Sequence, residues 1–281
     1  MRIDAHHHLW TLARGDYGWL TPHLQPIYRD FTLADLAPHL AAAGIEGTIL
    51  VQAASTEAET LFLLGIAAGA ETVRGVVGWT DFDASDAAAH IEAMAAHDLL
   101  VGLRPMVQDI PDHDWLLRPA LAPLLATMVR HQLVFDALVL PRHLPRLLPV
   151  VDRHPDLQFV LDHFGKPALS TGEIEVWRRD IALLAERDNI VCKLSGLVTE
   201  ARPDWRIDDL RGAVEHVISC FGPRRMLWGS DWPVVDLAGG YAKWMAAAET
   251  LLAELSPEQR ADIFGGTAAR IYLTNRGRRP C

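Results

Sequence analysis

The sequence has few cysteines and no long uncharged hydrophobic run. Its three cysteines, Cys192, Cys220 and Cys281, are widely spaced and form no C-x-x-C pair. This spacing excludes a disulfide framework and a thiolate zinc site. No apolar run approaches the roughly 18 residues of a membrane span, and the N-terminal MRIDAHHHLW has no apolar core of a signal peptide. We therefore expect a cytoplasmic protein that does not span a membrane.

Basic charge is also scarce. Lysine and arginine together number 26, against 36 acidic residues, which gives a formal net charge of −10. Proteins that bind the phosphate backbone usually present a basic surface, so we expect no nucleic-acid partner. Histidine, in contrast, is plentiful at 13 residues. With so little cysteine, this composition favours imidazole and carboxylate chemistry.

Eight short hydrophobic runs recur along the chain and lack polar alternation. Such runs are typical of parallel strands that are buried on both faces, whereas the strands of antiparallel sandwiches alternate. The predicted strands are Arg2–His6, Gly47–Gln52, Val73–Trp79, Leu100–Met106, Leu133–Leu138, Gln158–Asp162, Asn189–Leu194 and Arg225–Gly229.

Helical patterns separate these runs, with predicted starts at Thr32, Ser85, Pro141 and Glu173. Eight alternating units match a single (β/α)8 TIM-type barrel over residues 1–281 better than a doubly wound sheet. The tail SPEQRADIFGGTAARIYL predicts two short helices, the first capped by Ser256 and the second by Thr267. We expect both to complete the outer helical layer.

Residues 9–31 form the longest irregular stretch and are rich in aromatic side chains. A long loop after the first strand of a barrel is a candidate lid over the pocket, although a flap packed for stability has the same composition. Trp19 of this loop offers a flat apolar face, and we predict that it contacts substrate.

Two histidines at the end of the first predicted strand are the first candidate site residues. His6 and His8 are two residues apart, so in an extended chain both point to one side while His7 points to the other. In a barrel, the carboxyl ends of the strands converge on one mouth, where the active site lies. We therefore expect two imidazoles at the mouth.

His163 and Asp231 end the sixth and eighth predicted strands and should reach the same mouth. A carboxylate with three imidazoles can hold a divalent metal, or it can deprotonate water while the imidazoles polarise a carbonyl. We predict Asp231 and His163 as catalytic residues. Zinc uses about three protein ligands in a catalytic site, so His6, His8 and Asp231 are predicted to bind at most one ion, with zinc as the expected species and His163 as a further ligand.

Other polar residues at strand ends are weaker candidates, each on its own. Arg104 could bind an oxygen-rich ligand or pair with Asp136, and both alternatives are open. Lys193 could act as a tuned base only if it is buried. The complete set is Gln52, Trp79, Asp81, Arg104, Asp136, Lys193 and Ser195. Of these, Gln52, Trp79, Arg104 and Lys193 are predicted to bind substrate together with Trp19.

The segments that carry these residues resemble the amidohydrolase superfamily. His6 and His8 match its H-x-H at strand 1, and Asp231 matches its aspartate at strand 8. The whole chain is similar to the amidohydrolase-2 branch, which holds sugar-acid lactonases and the pyrone-dicarboxylate lactonase. The matching segments are IDAHHHLW, GVVGWTDF, VGLRPMVQD, FVLDHFGKP, CKLSGLVTEA, WGSDWPV and IFGGTAARIYL.

This resemblance implies a (β/α)8 barrel that hydrolyses a lactone with water activated at Asp231, around a core of His6, His8, His163 and Asp231. Strand 5 offers Asp136 instead of a histidine and strand 4 offers Arg104, so a two-metal centre is incomplete. We expect a small neutral sugar lactone as the substrate, since a dianionic one would need several cations. The alternative within the branch is a metal-dependent decarboxylase of an aromatic acid.

Overall fold

The hydrophobic runs form eight parallel strands. The structure, a computed structural model, describes residues 1–274, so Cys281 and the end of the predicted 1–281 domain lie outside the described residues. All strand residues are buried except Arg74, as expected for strands covered on both faces. The strands are β1 Ile3–His7, β2 Gly47–Val51, β3 Val73–Gly78, β4 Leu100–Leu103, β5 Val134–Ala137, β6 Phe159–Leu161, β7 Ile190–Leu194 and β8 Met226–Trp228.

The strands pair in sequence order from β1 to β8, and every pair is parallel. The barrel closes between its first and last strands, where the Asp231 amide donates to the His6 carbonyl at 2.8 Å and His7 bridges Trp232. The predicted (β/α)8 TIM barrel is therefore confirmed. This closure also brings the two strand ends with the strongest site candidates next to each other.

Helices follow the strands around the outside. Thr32 begins the first helix with a capping box, and Ser256 begins the last one in the same way, as predicted. The predicted start at Pro141 is a 3-10 turn that leads into α5. The helices are α1 Leu33–Ala43, α2 Glu57–Ala68, α3 Ala87–Ala95, α4 Leu121–Arg130, α5 Leu144–Arg153, α6 Glu175–Ala185, α7 Leu197–Glu200, α8 Ile207–Phe221, α9 Tyr241–Leu251 and α10 Pro257–Ala261.

The tail after α10 has a different role from the predicted one. Two π-helical segments, Asp262–Gly266 and Ala269–Leu273, follow α10. Tyr272 packs with the apolar side chains inside the barrel, and the tail covers the end of the barrel where β1 begins. Thr267 is helical, and its hydroxyl donates to the Arg224 carbonyl at 3.1 Å, so its prediction as a helix cap is wrong. Helical periodicity identifies an apolar face but not the surface that it covers.

The loop of residues 9–31 has its own aromatic core. Trp10 and Phe31 pair through two backbone hydrogen bonds of 2.9 and 3.2 Å, and both side chains are buried. The indole of Trp19 donates to the Ala53 carbonyl at 2.7 Å, which fastens the loop to the end of β2. The loop is thus packed on the barrel rim and places Trp19 at the mouth.

Within residues 1–274, no helix is both long enough and apolar enough to cross a membrane. The cytoplasmic location stays a prediction from the sequence.

Candidate active site

A cavity of about 250 Å³ opens at the carboxyl ends of the strands. It is large enough for a small ligand, and it lies where enzymes with this fold carry their active sites. Five predicted site residues line it: His8, Trp19, Arg104, His163 and Asp231. The remaining lining residues are Ala53, Met106, Gln108, Asp109, Leu138, Lys166, Gly196, Thr199 and Val234.

The histidines at the end of β1 have the predicted orientation. The Nε2 atoms of His6 and His8 lie 3.2 Å apart, whereas His7 points away and contacts the Thr48 hydroxyl at 2.9 Å. Nδ1 of His8 lies 2.8 Å from the Val51 carbonyl. Because a carbonyl only accepts, this ring donates from Nδ1 and presents the lone pair of Nε2 to the site.

Asp231 reaches these histidines through an unusual backbone path. Its φ angle is 58°, in the left-handed region that few residues other than glycine adopt. Two residues earlier, a Cβ on Gly229 would lie 2.6 Å from Cβ of His6, so only glycine allows the strand ends to approach this closely. The Oδ1 atom of Asp231 then lies 3.3 Å from Nε2 of His8 and 3.6 Å from Nε2 of His6.

His163 also has a positive φ, of 52°. Its Nδ1 atom contacts the Ser195 hydroxyl at 2.8 Å, and its ring lies 4.6 Å from the ring of His6. A Cβ on Gly196 would lie only 2.5 Å from Nδ1 of His163. Backbone strain at two neighbouring site residues is common in active sites, where the surrounding structure stabilises it.

Burial and mutual contact shift the ionisation of the site. Burial alone would raise the pKa of Asp231, but the imidazoles of His163, His8 and His6 outweigh it and lower that pKa, so the side chain is a carboxylate. Burial lowers the pKa of His163 to about 4 and the pKa of His6 well below its usual value. Neutral imidazoles can donate, accept or bind a metal ion.

The donor atoms match the requirements of a zinc ion. A tetrahedron with bonds of about 2.1 Å separates its ligand atoms by roughly 3.4 Å. The three distances among Nε2 of His6, Nε2 of His8 and Oδ1 of Asp231 are 3.2, 3.3 and 3.6 Å. Ligand atoms of His6, His163 and Asp231 also lie within 4.8 Å of one another. The residues therefore fit one divalent ion, with His163 as a fourth donor.

A buried charge network lies below this centre. Nζ of Lys193 is 2.7 Å from Asp136 and 2.7 Å from Asp162, and Arg104 is 3.3 Å from Asp162. Burial alone would lower the pKa of Lys193, but the two carboxylates raise it, so the ammonium stays charged. Arg104 pairs with Asp162, so the suggested pairing with Asp136 is wrong. Tyr272 of the tail donates to Asp136 at 2.7 Å and completes the network.

Three residues predicted to bind substrate do not line the cavity. Lys193 lies beneath it, and Gln52 is fully buried, with its amide donating to the Arg104 carbonyl at 2.9 Å. Trp79 lines a neighbouring cavity of about 260 Å³, together with Asp81. Gln52 therefore positions Arg104, whose Nη2 also donates to Oε1 of Gln52 at 3.2 Å.

Comparison with known proteins identifies the family. The amidohydrolase family profile matches residues 3–273. The chain belongs to the amidohydrolase family. A Burkholderia ambifaria L-fucono-1,5-lactonase is 43% identical to this amidohydrolase, with 98% of this chain and 96% of the relative covered. A Burkholderia multivorans L-fucono-1,5-lactonase is 36% identical, with 97% and 96% covered.

A crystal structure of a Burkholderia multivorans amidohydrolase with bound Zn has a similar fold. It is 36% identical to this chain, the match covers 97% of this chain and 99% of that one, and the TM-score is 0.92. The resemblance that the sequence segments indicate is therefore confirmed.

Several site residues of this amidohydrolase escaped the sequence analysis. Asp162 is central to the charge network, and its position directly before His163 at a strand end was the available signal. The apolar wall of the cavity, formed by Met106, Leu138 and Val234, left no signal in the sequence, because apolar residues in short loops look like core residues. Lys166, with a φ of 54°, is placed by the turn after β6 and pairs with Glu200 at 3.5 Å.

Proposed function

We propose that this amidohydrolase hydrolyses a small sugar-derived lactone to its hydroxy acid. The observation that carries the proposal is the Asp231 carboxylate among three imidazoles at the base of a cavity of about 250 Å³. The cavity volume suits a single sugar ring. The two L-fucono-1,5-lactonases, which match nearly the whole chain, support an aldonolactone as the substrate class.

Asp231 is the proposed base. Its carboxylate, kept ionised by the neighbouring imidazoles, accepts a proton from water as the water oxygen attacks the lactone carbonyl. When the tetrahedral intermediate collapses, the protonated Asp231 passes that proton to the leaving alkoxide. One group thereby serves both half-reactions, and the ring opens to a hydroxy acid.

The oxyanion of the intermediate needs donors in a site from which water is excluded. The imidazoles of His6 and His163 lie beside Asp231, and Nε of Arg104 is buried without a hydrogen-bond partner among residues 1–274. We assign these groups to the oxyanion. A zinc ion bound by His6, His8 and Asp231, with His163 as a further donor, would supply Lewis-acid polarisation of the carbonyl.

The charges of the pocket favour a neutral substrate. Arg104 and Lys166 are the lysine and arginine side chains among its described lining residues. Arg104 is paired with Asp162, and Lys166 lies 3.5 Å from Glu200. A substrate with two carboxylates would need cations free of such partners, since an unpaired buried charge is costly. A polyhydroxylated lactone requires only hydrogen bonds.

A panel of lactones assayed with a pH indicator tests the function. Each ring opening releases an acid, and we expect aldonolactones to have the highest kcat/KM. A pyrone dicarboxylate serves as the dianionic comparison and should be turned over slowly or not at all. Faster turnover of the pyrone than of every aldonolactone would contradict the neutral substrate.

The decarboxylase alternative has less support, because both curated relatives named above are lactonases. Product analysis separates the two chemistries. Carbon dioxide released from an aromatic acid would favour the decarboxylase, whereas ring opening without gas favours the lactonase.

Replacing Trp19 by alanine should raise KM for the aldonolactone several-fold with a smaller effect on kcat. The indole lines the cavity and offers an apolar face for sugar C–H groups, whereas the proposed proton transfers involve Asp231. Steady-state kinetics measures the effect. Tyr28→Ala is the matched control, because Tyr28 belongs to the same loop and both side chains are 38% exposed. Equal KM values for the two variants would place Trp19 outside the substrate contacts.

A further inference from the structure

The buried cation Lys193 touches the centre directly. Its Nζ atom lies 3.2 Å from Nδ1 of His6, in addition to its contacts of 2.7 Å with Asp136 and Asp162. All four side chains are fully buried. An ammonium has donors and no acceptor, so in this contact Lys193 donates and Nδ1 of His6 accepts.

This contact determines which ring nitrogen of His6 carries the proton. A neutral imidazole has one acceptor nitrogen and one N–H group, so acceptance at Nδ1 leaves the proton on Nε2. The Nε2 atom of His8, 3.2 Å away, is free to accept it because Nδ1 of His8 donates to the Val51 carbonyl. One chain of hydrogen bonds therefore runs from Lys193 through His6 and His8 to Val51.

Arg104 competes for the same ring, since its Nη1 lies 3.4 Å from Nε2 of His6. Arg104 would require the opposite tautomer, with the proton on Nδ1. The Lys193 contact is the shorter, at 3.2 Å. Arg104 has further acceptors in Asp162 and in the Gln52 carbonyl. With either tautomer, Nε2 of His6 already makes a hydrogen bond, to His8 or to Arg104, and a metal ion has to break it.

We propose that Lys193 holds His6 in the Nε2–H tautomer and so weakens metal binding at the centre. Zinc binding at Nε2 has to move that proton to Nδ1, where it faces the ammonium of Lys193. The neighbouring acceptor for an Nδ1–H group, Oδ1 of Asp162, is 3.7 Å away, which is too long for a hydrogen bond. The charges below the centre are already balanced, because Lys193 and Arg104 face Asp136 and Asp162. The centre therefore keeps its geometry without the ion.

The role of His6 in catalysis rests on the proposed lactonase function. For that lactonase, the consequence is a centre that a metal ion assists but that works in part without one. The Nε2–H group of His6, which it shares with Nε2 of His8, then lies beside Asp231 as a donor for the oxyanion. We expect at most one divalent ion per chain and a partial loss of activity when it is stripped. Elemental analysis and the rate of lactone opening, before and after chelation, measure both.

Removing the Lys193 donor should tighten zinc binding. In Lys193→Met/Asp136→Asn, both members of a buried ion pair become uncharged side chains of similar size, and such exchanges are often tolerated. Nδ1 of His6 then loses its donor, so Nε2 can offer its lone pair. By calorimetry with Zn²⁺ on stripped protein, we expect Kd to fall about tenfold or more, which is the size, here with the opposite sign, of the effect of mutating groups behind a metal ligand.

Lys243→Met is the matched control, because Lys243 packs over the Trp205 ring and belongs to no part of the centre. Its Kd for Zn²⁺ should equal that of the parent. A folded double variant with an unchanged Kd would overturn the proposal. The calorimetry uses no lactone, so a failure of the lactonase assignment would appear separately, in the rate assay of the parent protein.

Histidine ¹⁵N NMR of the stripped parent gives a second test that needs no substitution. The expected spectrum has the His6 proton on Nε2, and zinc addition should transfer protonation to Nδ1. A proton on Nδ1 of His6 in the stripped protein would refute the role of Lys193.

Discussion

Asp231→Asn should lower kcat for lactone opening by roughly 10²- to 10⁴-fold, the usual contribution of a positioned general base. The amide cannot accept the proton from water. The neighbouring buried carboxylate, Asp162, cannot replace it because Lys193 and Arg104 already pair with Asp162. Steady-state kinetics on an aldonolactone measures the loss. A kcat near the parent value would remove Asp231 as the base.

Asparagine is the right substitution because it leaves the fold in place. Asp231 has a φ of 58°, and asparagine tolerates this conformation better than alanine does. The backbone hydrogen bond from residue 231 to the His6 carbonyl, at 2.8 Å, does not involve the side chain. Circular dichroism and Tm should therefore stay close to those of the parent.

The control is the same aspartate-to-asparagine substitution at a surface position. Asp152 lies on α5, is about half exposed and pairs with Arg187 at 2.8 Å. Asp152→Asn removes one exposed ion pair, worth at most about 1 kcal/mol, and should leave kcat unchanged. Equal losses in Asp152→Asn and Asp231→Asn would mean that the effect comes from charge in general rather than from the base.

Local periodicity and the barrel rule predicted which residues of the candidate site lie close together. The two-residue repeat of an extended strand placed His6 and His8 together, and the barrel rule added His163 and Asp231, which end strands far apart in sequence. The structure brings His6 and Asp231 to 3.6 Å, and His6 and His163 within ring contact. These predictions needed only strand order and direction.

Side-chain partners were beyond the reach of the sequence. In the sequence Lys193 looks like a polar strand residue. Its location beneath the cavity depends on Asp136 of β5 and on Asp162, which directly follows β6. The same limit applies to Tyr272, whose hydroxyl meets Asp136 inside the barrel although its segment reads as an outer helix. Which buried charges pair depends on strand register and rotamer, and neither leaves a periodic signal.

Gly196→Ala should also lower kcat for lactone opening strongly. Gly196 has a φ of 63°, and an added Cβ would lie 2.5 Å from Nδ1 and 2.6 Å from Cγ of His163. In Gly196→Ala the imidazole has to move, which breaks its 2.8 Å contact with Ser195. A displacement of about 1 Å at a reacting centre can cost up to 10²-fold in rate. If His163 acts as proposed, kcat should fall about 10- to 100-fold.

Gly172→Ala separates this steric effect from backbone strain. Gly172 has a similar φ of 76°, but an added Cβ meets no atom of residues 1–274 within 4 Å. Both variants should lose about 1–2 kcal/mol of unfolding free energy, because alanine is strained in the left-handed region. Denaturant unfolding measures that shared loss, and kinetics measures the difference between them. If kcat falls no further in Gly196→Ala than in Gly172→Ala, the position of the His163 ring does not limit lactone opening.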